Sequence, residues 1–203
     1  MTNVLLLTSS PRGDASYTAQ VATELAHKIS GATVTVRELW REMVPPLDPG
    51  FVHAAYTPAD NRTAEQREAL ALSDTLIAEL KATDVLIIAS GMINFGVPST
   101  LKSWIDNVTR RGMTFRYGEA GPEGLVTGKK TVLVLATGGV YSQGPMAAMD
   151  HQEPYLRSVL SFLGMSDIET ILIEGVSMGP EVTEKEFAAA KVKAHALASA
   201  LTA

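Results

Sequence analysis

The sequence predicts an α/β domain built on a parallel sheet with right-handed crossovers. Three observations carry that expectation. Short β-prone apolar runs recur at residues 4–8, 33–37, 85–89, 131–136 and 168–173. Several of them, such as "VLLL" and "VLIIA", are continuously hydrophobic, as in strands covered on both faces. Helical patterns separate the runs, and strand–helix alternation of this kind builds parallel sheets because each crossover carries a helix.

Each helical segment has its own signal. Residues 17–30 place Val21, Ala22, Leu25 and Ile29 at helical spacing, with Ser16 suited to the N-cap. Residues 63–83 open with the capping-box pair Thr63 and Gln66, then present Leu70, Ile77 and Leu80. After Phe95, Pro98 suits a first turn, Leu101, Trp104, Ile105 and Val108 form one stripe, and Arg110, Arg111 and Gly112 close the helix. Residues 155–163 form a further helix, and Thr183 with Glu186 reads as the cap of a last one through the alanine-rich tail. Two stretches break the alternation: a proline-containing excursion over residues 39–61 and an aromatic and glycine insert over residues 113–128. Loops of such length are usually functional or contact a partner.

Composition narrows the function. The chain has 203 residues, 46% hydrophobic and 19% charged, which fits one domain over residues 1–203. Seventeen bases against 22 acids give a net charge of −5, interspersed without a basic stripe, so no nucleic-acid partner is expected. The apolar runs are strand-sized, short of the roughly 20 residues that span a bilayer, so no membrane association is expected. The opening "MTNVLLLTSS" lacks the basic region and cleavage site of a secretory signal, and a cytoplasmic protein is expected. The chain has no cysteine, which excludes disulfides, thiolate nucleophiles and cysteine-ligated clusters. Redox chemistry then requires a bound cofactor. His27, His53, His151 and His195 are scattered without ligand spacing, and no metal site is expected.

Three loops leave strand ends with unusual composition, and open parallel sheets bind ligands at their carboxyl edge. The first, "TSSPRGDASYTAQ", gathers the hydroxyls of Ser9, Ser10, Ser16, Tyr17 and Thr18 at a helix start. Unpaired N–H groups and partial positive charge there suit a phosphate. Neither GxGxxG nor GxxxxGK[ST] is present, which counts against dinucleotide and P-loop readings. The second loop, Met92, Ile93, Asn94 and Phe95, offers backbone groups and one amide to the edge of a flat heterocycle. The third, "ATGGVYSQG", carries Gly138 and Gly139, read as permitting positive φ and the close approach of a ring. A phosphate grip, an amide-bearing wall and a glycine shelf along one edge fit flavin mononucleotide (FMN). Each loop taken singly also has a bland reading: an N-cap, two core plugs and a glycine turn.

The sequence resembles the bacterial FMN-dependent NADH-azoreductases, within the flavodoxin-like NAD(P)H:quinone oxidoreductases. The resemblance runs almost end to end and is most specific in "ALALSDTLIAELKATDVLIIA", in "NFGVPSTLKSWIDNVTRRGMTFRYGEAGPEGLVTGKK" and in the "GG" of the third loop. It implies a flavodoxin-like fold, a five-stranded parallel sheet of order 2-1-3-4-5 with helices on both faces. It implies FMN held by Ser10, Ser16, Tyr17 and Thr18 at the phosphate, and by Met92, Ile93, Asn94, Phe95, Ala136, Thr137, Gly138 and Gly139 at the ring. It also implies a homodimer with active sites at the interface, where Tyr117 and Phe162 line the pocket. NADH or NADPH would donate a hydride and a quinone or azo compound would accept two electrons, in a ping-pong cycle that needs no catalytic side chain; Asn94 is a candidate support. Three positions depart from the family pattern. Ile93 stands where relatives often carry an aromatic, Thr137 where some carry arginine, and Tyr141, placed in the substrate pocket, where some carry histidine. The competing readings are an NAD(P)H-dependent FMN reductase that releases flavin, a flavodoxin-like electron carrier, and a flavin-free scaffold.

Overall fold

The computed structural model describes residues 1–201. In chain order the elements are β1 (Thr2–Thr8), α1 (Tyr17–Lys28), β2 (Ala32–Glu38), α2 (Pro49–Tyr56), α3 (Ala64–Ala82), β3 (Val85–Gly91), α4 (Ser99–Val108), β4 (Phe115–Gly118), β5 (Gly121–Gly124), β6 (Lys130–Ala136), α5 (Glu153–Leu163), β7 (Asp167–Ile173) and α6 (Pro180–Ala200). The sheet runs β2-β1-β3-β6-β7, parallel throughout. Counting only its own strands along the chain, that is the expected order 2-1-3-4-5.

Strand alternation sends neighbouring side chains to opposite faces, and both faces are covered. Leu5, Leu7, Leu86, Ile88 and Leu133 join one core with Leu76, Trp104, Ile105 and Leu160 of α3, α4 and α5. Val4, Leu6, Ile87, Val132 and Val134 join the other with Val21 and Leu25 of α1 and Ala190 and Ala194 of α6. This two-sided burial is why the strands read as unbroken apolar runs. The central strand β3 is buried from Val85 to Ser90, while the edge strand β2 keeps Val36 half exposed.

Several boundaries depart from the sequence expectation. The excursion over residues 39–61 holds a short helix, because Asp48 accepts from the Phe51 N–H at 2.7 Å and Pro49 pre-sets the first turn. The insert over residues 113–128 folds back as the antiparallel pair β4–β5. Helix α4 stops at Val108 rather than running on to the two arginines. Arg110 is buried instead, donating to Asp74 Oδ1 at 2.6 Å and Ser73 Oγ at 2.9 Å. Thr183 and Glu186 do not cap α6: the helix begins a turn earlier, at Pro180, and the Thr183 hydroxyl donates to the Gly179 carbonyl at 2.9 Å. Ser16 and the Thr63–Gln66 capping box stand as expected.

Candidate functional site

All five sheet strands point their carboxyl ends at one edge, and β1, β3 and β6 are adjacent there. Thr8 pairs with Ala89, and Gly91 with Ala136, so the three loops that follow these strands emerge side by side. The three loops singled out in the sequence are therefore neighbours in space.

The first loop leaves β1 and bends into α1. Ser10, Ser16 and Thr18 are buried. The Ser16 and Thr18 hydroxyls lie 2.9 Å apart, and Ser16 Oγ accepts the Ala19 N–H at 3.4 Å as the helix cap. Ser10 Oγ accepts the Arg12 N–H at 3.3 Å, drawing the bend inward. The N–H groups of Tyr17 and Thr18 meet no acceptor among the described residues. Tyr17 turns its ring to Phe187 of α6, centroids 5.2 Å apart, with the Arg12 guanidinium 5.3 Å from its centroid. Arg12 brings a positive charge to this loop that the sequence reading passed over.

The second loop is strained. Ile93 and Gly96 exchange both backbone hydrogen bonds, at 2.9 and 3.0 Å, which forces Asn94 and Phe95 to φ 46° and 71°. Two consecutive left-handed residues that are not glycine form a primed turn of the hairpin kind, and such strain persists only where surrounding structure fixes it. Here the Met92 N–H donates to the Ala136 carbonyl at 2.8 Å and the His151 N–H to the Phe95 carbonyl at 2.9 Å. Below the turn, buried Gln152 donates to buried Ser90 Oγ at 3.2 Å. The N–H groups of Asn94 and Phe95 meet no acceptor among the described residues, and the side chains of Ile93 and Phe95 are exposed.

The third loop is knitted to the segment after β7. Thr137 donates its N–H to the Ile173 carbonyl at 3.0 Å and its hydroxyl to the Gly139 carbonyl at 2.8 Å. The Ser177 N–H donates to the Gly138 carbonyl at 3.0 Å, and the Gly175 N–H to that of Gly139 at 3.1 Å. Neither Gly138 nor Gly139 has positive φ, so the expected left-handed backbone is not there. Close approach distinguishes position 138 instead: a Cβ there would stand 3.0 Å from Ser177 Oγ, a tight contact that the serine side chain would have to give way to. Ala136 and Thr137 sit between this loop and the Met92 turn. Tyr141 meets Phe95 edge-on, centroids 6.3 Å apart, joining the second and third loops.

A cleft of about 340 Å³, lined by Ser9, Pro11, Trp40, Met43, Ile93 and Pro98, connects the first loop to the second. A larger one of about 620 Å³ between α1 and β2 reaches no residue of the second or third loop. The two other substrate-pocket residues expected from the sequence belong to a different aromatic cluster. Tyr117 and Phe162 both pack on Phe115, at centroid distances of 5.8 and 4.7 Å, in a cluster on the β4–β5 hairpin. No ring contact joins that cluster to Phe95 or Tyr141 among the described residues. No helix among the described residues is long and apolar enough to cross a membrane.

Comparison with known proteins follows the same outline. The profile of the family described as having a flavodoxin-like fold matches residues 2–198. The FMN-dependent NADH:quinone oxidoreductase 1 of Rhizobium etli is 51% identical over 204 residues, covering 98% of this chain and 100% of that protein. The FMN-dependent NADH:quinone oxidoreductase of Agrobacterium fabrum is 50% identical over the same shares. An azoreductase structure from Bacillus anthracis superposes with a TM-score of 0.88 at 28% identity, covering 98% of this chain and 99% of that one. An FMN-dependent NADH-azoreductase of the same species, solved in complex with FMN, superposes at 0.86 with 23% identity over 98% of this chain and 100% of that one, a likeness of fold.

Proposed function

The chain belongs to the flavodoxin-like fold family, and from that premise we propose that it is an FMN-dependent oxidoreductase carrying two electrons from NADH to a quinone or an azo compound. The observation that carries this reading is the meeting, at one sheet edge, of a hydroxyl-rich helix start, a strained turn with unsatisfied N–H groups and a close-packed glycine loop. The names of the two half-identical, full-length relatives support it.

The donor set fits FMN. A phosphate needs several donors and positive charge, and the first loop has the hydroxyls of Ser10, Ser16 and Thr18, the N–H groups of Tyr17 and Thr18, the positive end of α1, and Arg12 nearby. The edge of a flavin ring is rich in acceptors, and the second loop has the N–H groups of Asn94 and Phe95 with no acceptor of their own among the described residues. Ala136, Thr137, Gly138 and Gly139 would support the ring from the neighbouring strand end. Bound FMN would supply the redox chemistry, taking hydride from NADH and delivering two electrons to the acceptor in a ping-pong cycle.

The chain's own task is to position and to balance charge. The turn at Asn94 and Phe95 fixes the direction of its two N–H donors in advance, and these would bind the edge of the flavin and favour negative charge on it without having to reorient. Ile93 and Tyr141 flank the space an acceptor would enter and would set its shape. Tyr117 and Phe162, which make no ring contact with Phe95 among the described residues of one chain, are assigned in this reading to the interface of a homodimer, where each protomer would wall the other's ring. The working unit in this reading is one domain over residues 1–203, acting in the cytoplasm.

The test is spectroscopic. Protein incubated with FMN and desalted should be yellow, bleach on anaerobic addition of NADH, and regain its colour when a quinone or azo dye is added. A flavin spectrum unmoved by NADH would instead describe an electron carrier, and flavin leaving the protein on reduction would describe an FMN reductase.

A further inference from the structure

Glu174 follows β7 directly and takes no part in the site as assigned above. Its Oε1 accepts the N–H groups of Tyr141 at 2.6 Å and Ser142 at 2.9 Å, and its Oε2 accepts the Ser142 hydroxyl at 2.6 Å. Three donors from two consecutive residues thus converge on one carboxylate. Charge-assisted bonds of this length are the strong ones, and three of them fix the plane of the acceptor as well as its position. The next residue, Gly175, donates to the Gly139 carbonyl at 3.1 Å, so the same corner holds the loop on both sides of Val140.

What this corner holds in place is Tyr141. Among the described residues the Glu174 carboxylate is the acceptor for its backbone N–H, and its ring meets Phe95 edge-on. Phe95 is itself fixed by the strained turn and by His151. One member of the aromatic pair is therefore set by backbone strain and the other by the Glu174 carboxylate.

We infer that Glu174 is a positioning residue for the electron acceptor: it holds Tyr141 against Phe95, and the pair forms a rigid aromatic wall that selects flat aromatic acceptors. The inference rests on the FMN-dependent reading above. It assigns Glu174 no contact with acceptor or flavin, and its effect passes through Tyr141.

The experiment compares wild type, Glu174→Ala, Glu174→Gln, Tyr141→Ala and the Glu174→Ala/Tyr141→Ala double variant. Four readouts are taken: FMN per chain from the visible spectrum, the rate of anaerobic reduction by NADH, KM for a naphthoquinone (menadione), and turnover with ferricyanide, which accepts electrons without stacking. Glu174→Ala should raise the menadione KM about tenfold, the order expected when a wall is misplaced by a fraction of an ångström, with the other three readouts within about twofold. Glutamine keeps an oxygen for the two N–H groups and can donate its amide to Ser142 Oγ, so Glu174→Gln should stay within about threefold of wild type. In the Tyr141→Ala background the Glu174→Ala change should be worth less than about twofold, because the ring it positions is gone.

An unchanged menadione KM in Glu174→Ala, an equal rise with and without Tyr141, or a parallel loss with ferricyanide would each overturn the inference. Should Glu174→Ala not fold, Ser142→Ala removes one of the three bonds and must raise the menadione KM at least about twofold, only when Tyr141 is present; no such rise overturns it equally. Failure of the parent reading is separately visible, as a wild-type protein that takes up no FMN.

Discussion

The N–H of His151 donates to the carbonyl of Phe95 at 2.9 Å, so the approach to α5 holds the left-handed turn that ends β3. At φ 71° a β-branched side chain clashes with its own backbone. Phe95→Val should therefore cost about 1–3 kcal/mol in urea unfolding and weaken FMN binding. Phe95→Gly removes the strain and should stay within about 1 kcal/mol of wild type while losing the contact with Tyr141. Equal stability of the valine and glycine variants would show that the turn stores no strain.

Ser16 has a structural role and a proposed ligand role, which separate by measurement. As the cap of α1 it accepts the Ala19 N–H. Ser16→Ala should lower the stability of the FMN-free protein by about 1 kcal/mol. If Ser16 also donates to a phosphate, FMN affinity should fall by about tenfold or more, from the loss of one charge-assisted bond. Titration of flavin fluorescence against each variant decides it.

The β4–β5 hairpin meets the end of α5 backbone to backbone. A Cβ on Gly124 would stand 2.2 Å from the Gly164 nitrogen, a distance only main-chain movement can relieve. Gly124→Ala should cost roughly 2–3 kcal/mol, seen as a lower thermal midpoint. It should also disturb the packing of Phe162 on Phe115, and with it any dimer that uses this face.

On the opposite face, Glu24 of α1 accepts from His195 and pairs with Lys191 at 3.2 Å, both on α6. The His195 hydrogen bond first, then that of Lys191, hold its carboxyl below the ordinary value of 4.5. A carboxyl depressed on folding adds stability above its unfolded value, and that contribution is lost as pH falls through the lower folded value. Glu24→Gln should thus be slightly less stable than wild type at neutral pH, and the difference should close as the pH drops below 4.5. Denaturant midpoints between pH 7 and 3 measure it; a gap that widens in acid would contradict the linkage.

Some of this was written plainly in the sequence. The sheet was legible because burial on both faces leaves unbroken runs such as Val85 to Ala89, and Ser16 and Thr63 announce their helices by local chemistry. Helix α2 was hidden by Pro45, Pro46 and Pro49, which read as a loop although Pro49 in fact starts the helix. The chemistry of the second loop was only half visible: asparagine tolerates the left-handed region, but nothing in the side chain of Phe95 reveals a positive φ imposed by pairing across Ile93 and Gly96. Gly138 was flagged for a conformation it does not adopt, because close approach to Ser177 leaves the same signature as a left-handed turn. Gln152 and Glu174 act on loops 62 and 32 to 33 residues away along the chain, and no local pattern points across such separations.

The assignment of the three loops to one FMN stands most directly on a comparison of FMN with riboflavin, which shares the ring and lacks the phosphate. Titrated into flavin-free protein, FMN should bind one per chain, and riboflavin at least roughly 100-fold more weakly, the loss expected when several donors and a helix terminus find no anion. Equal affinity for the two, or binding of neither, would contradict it.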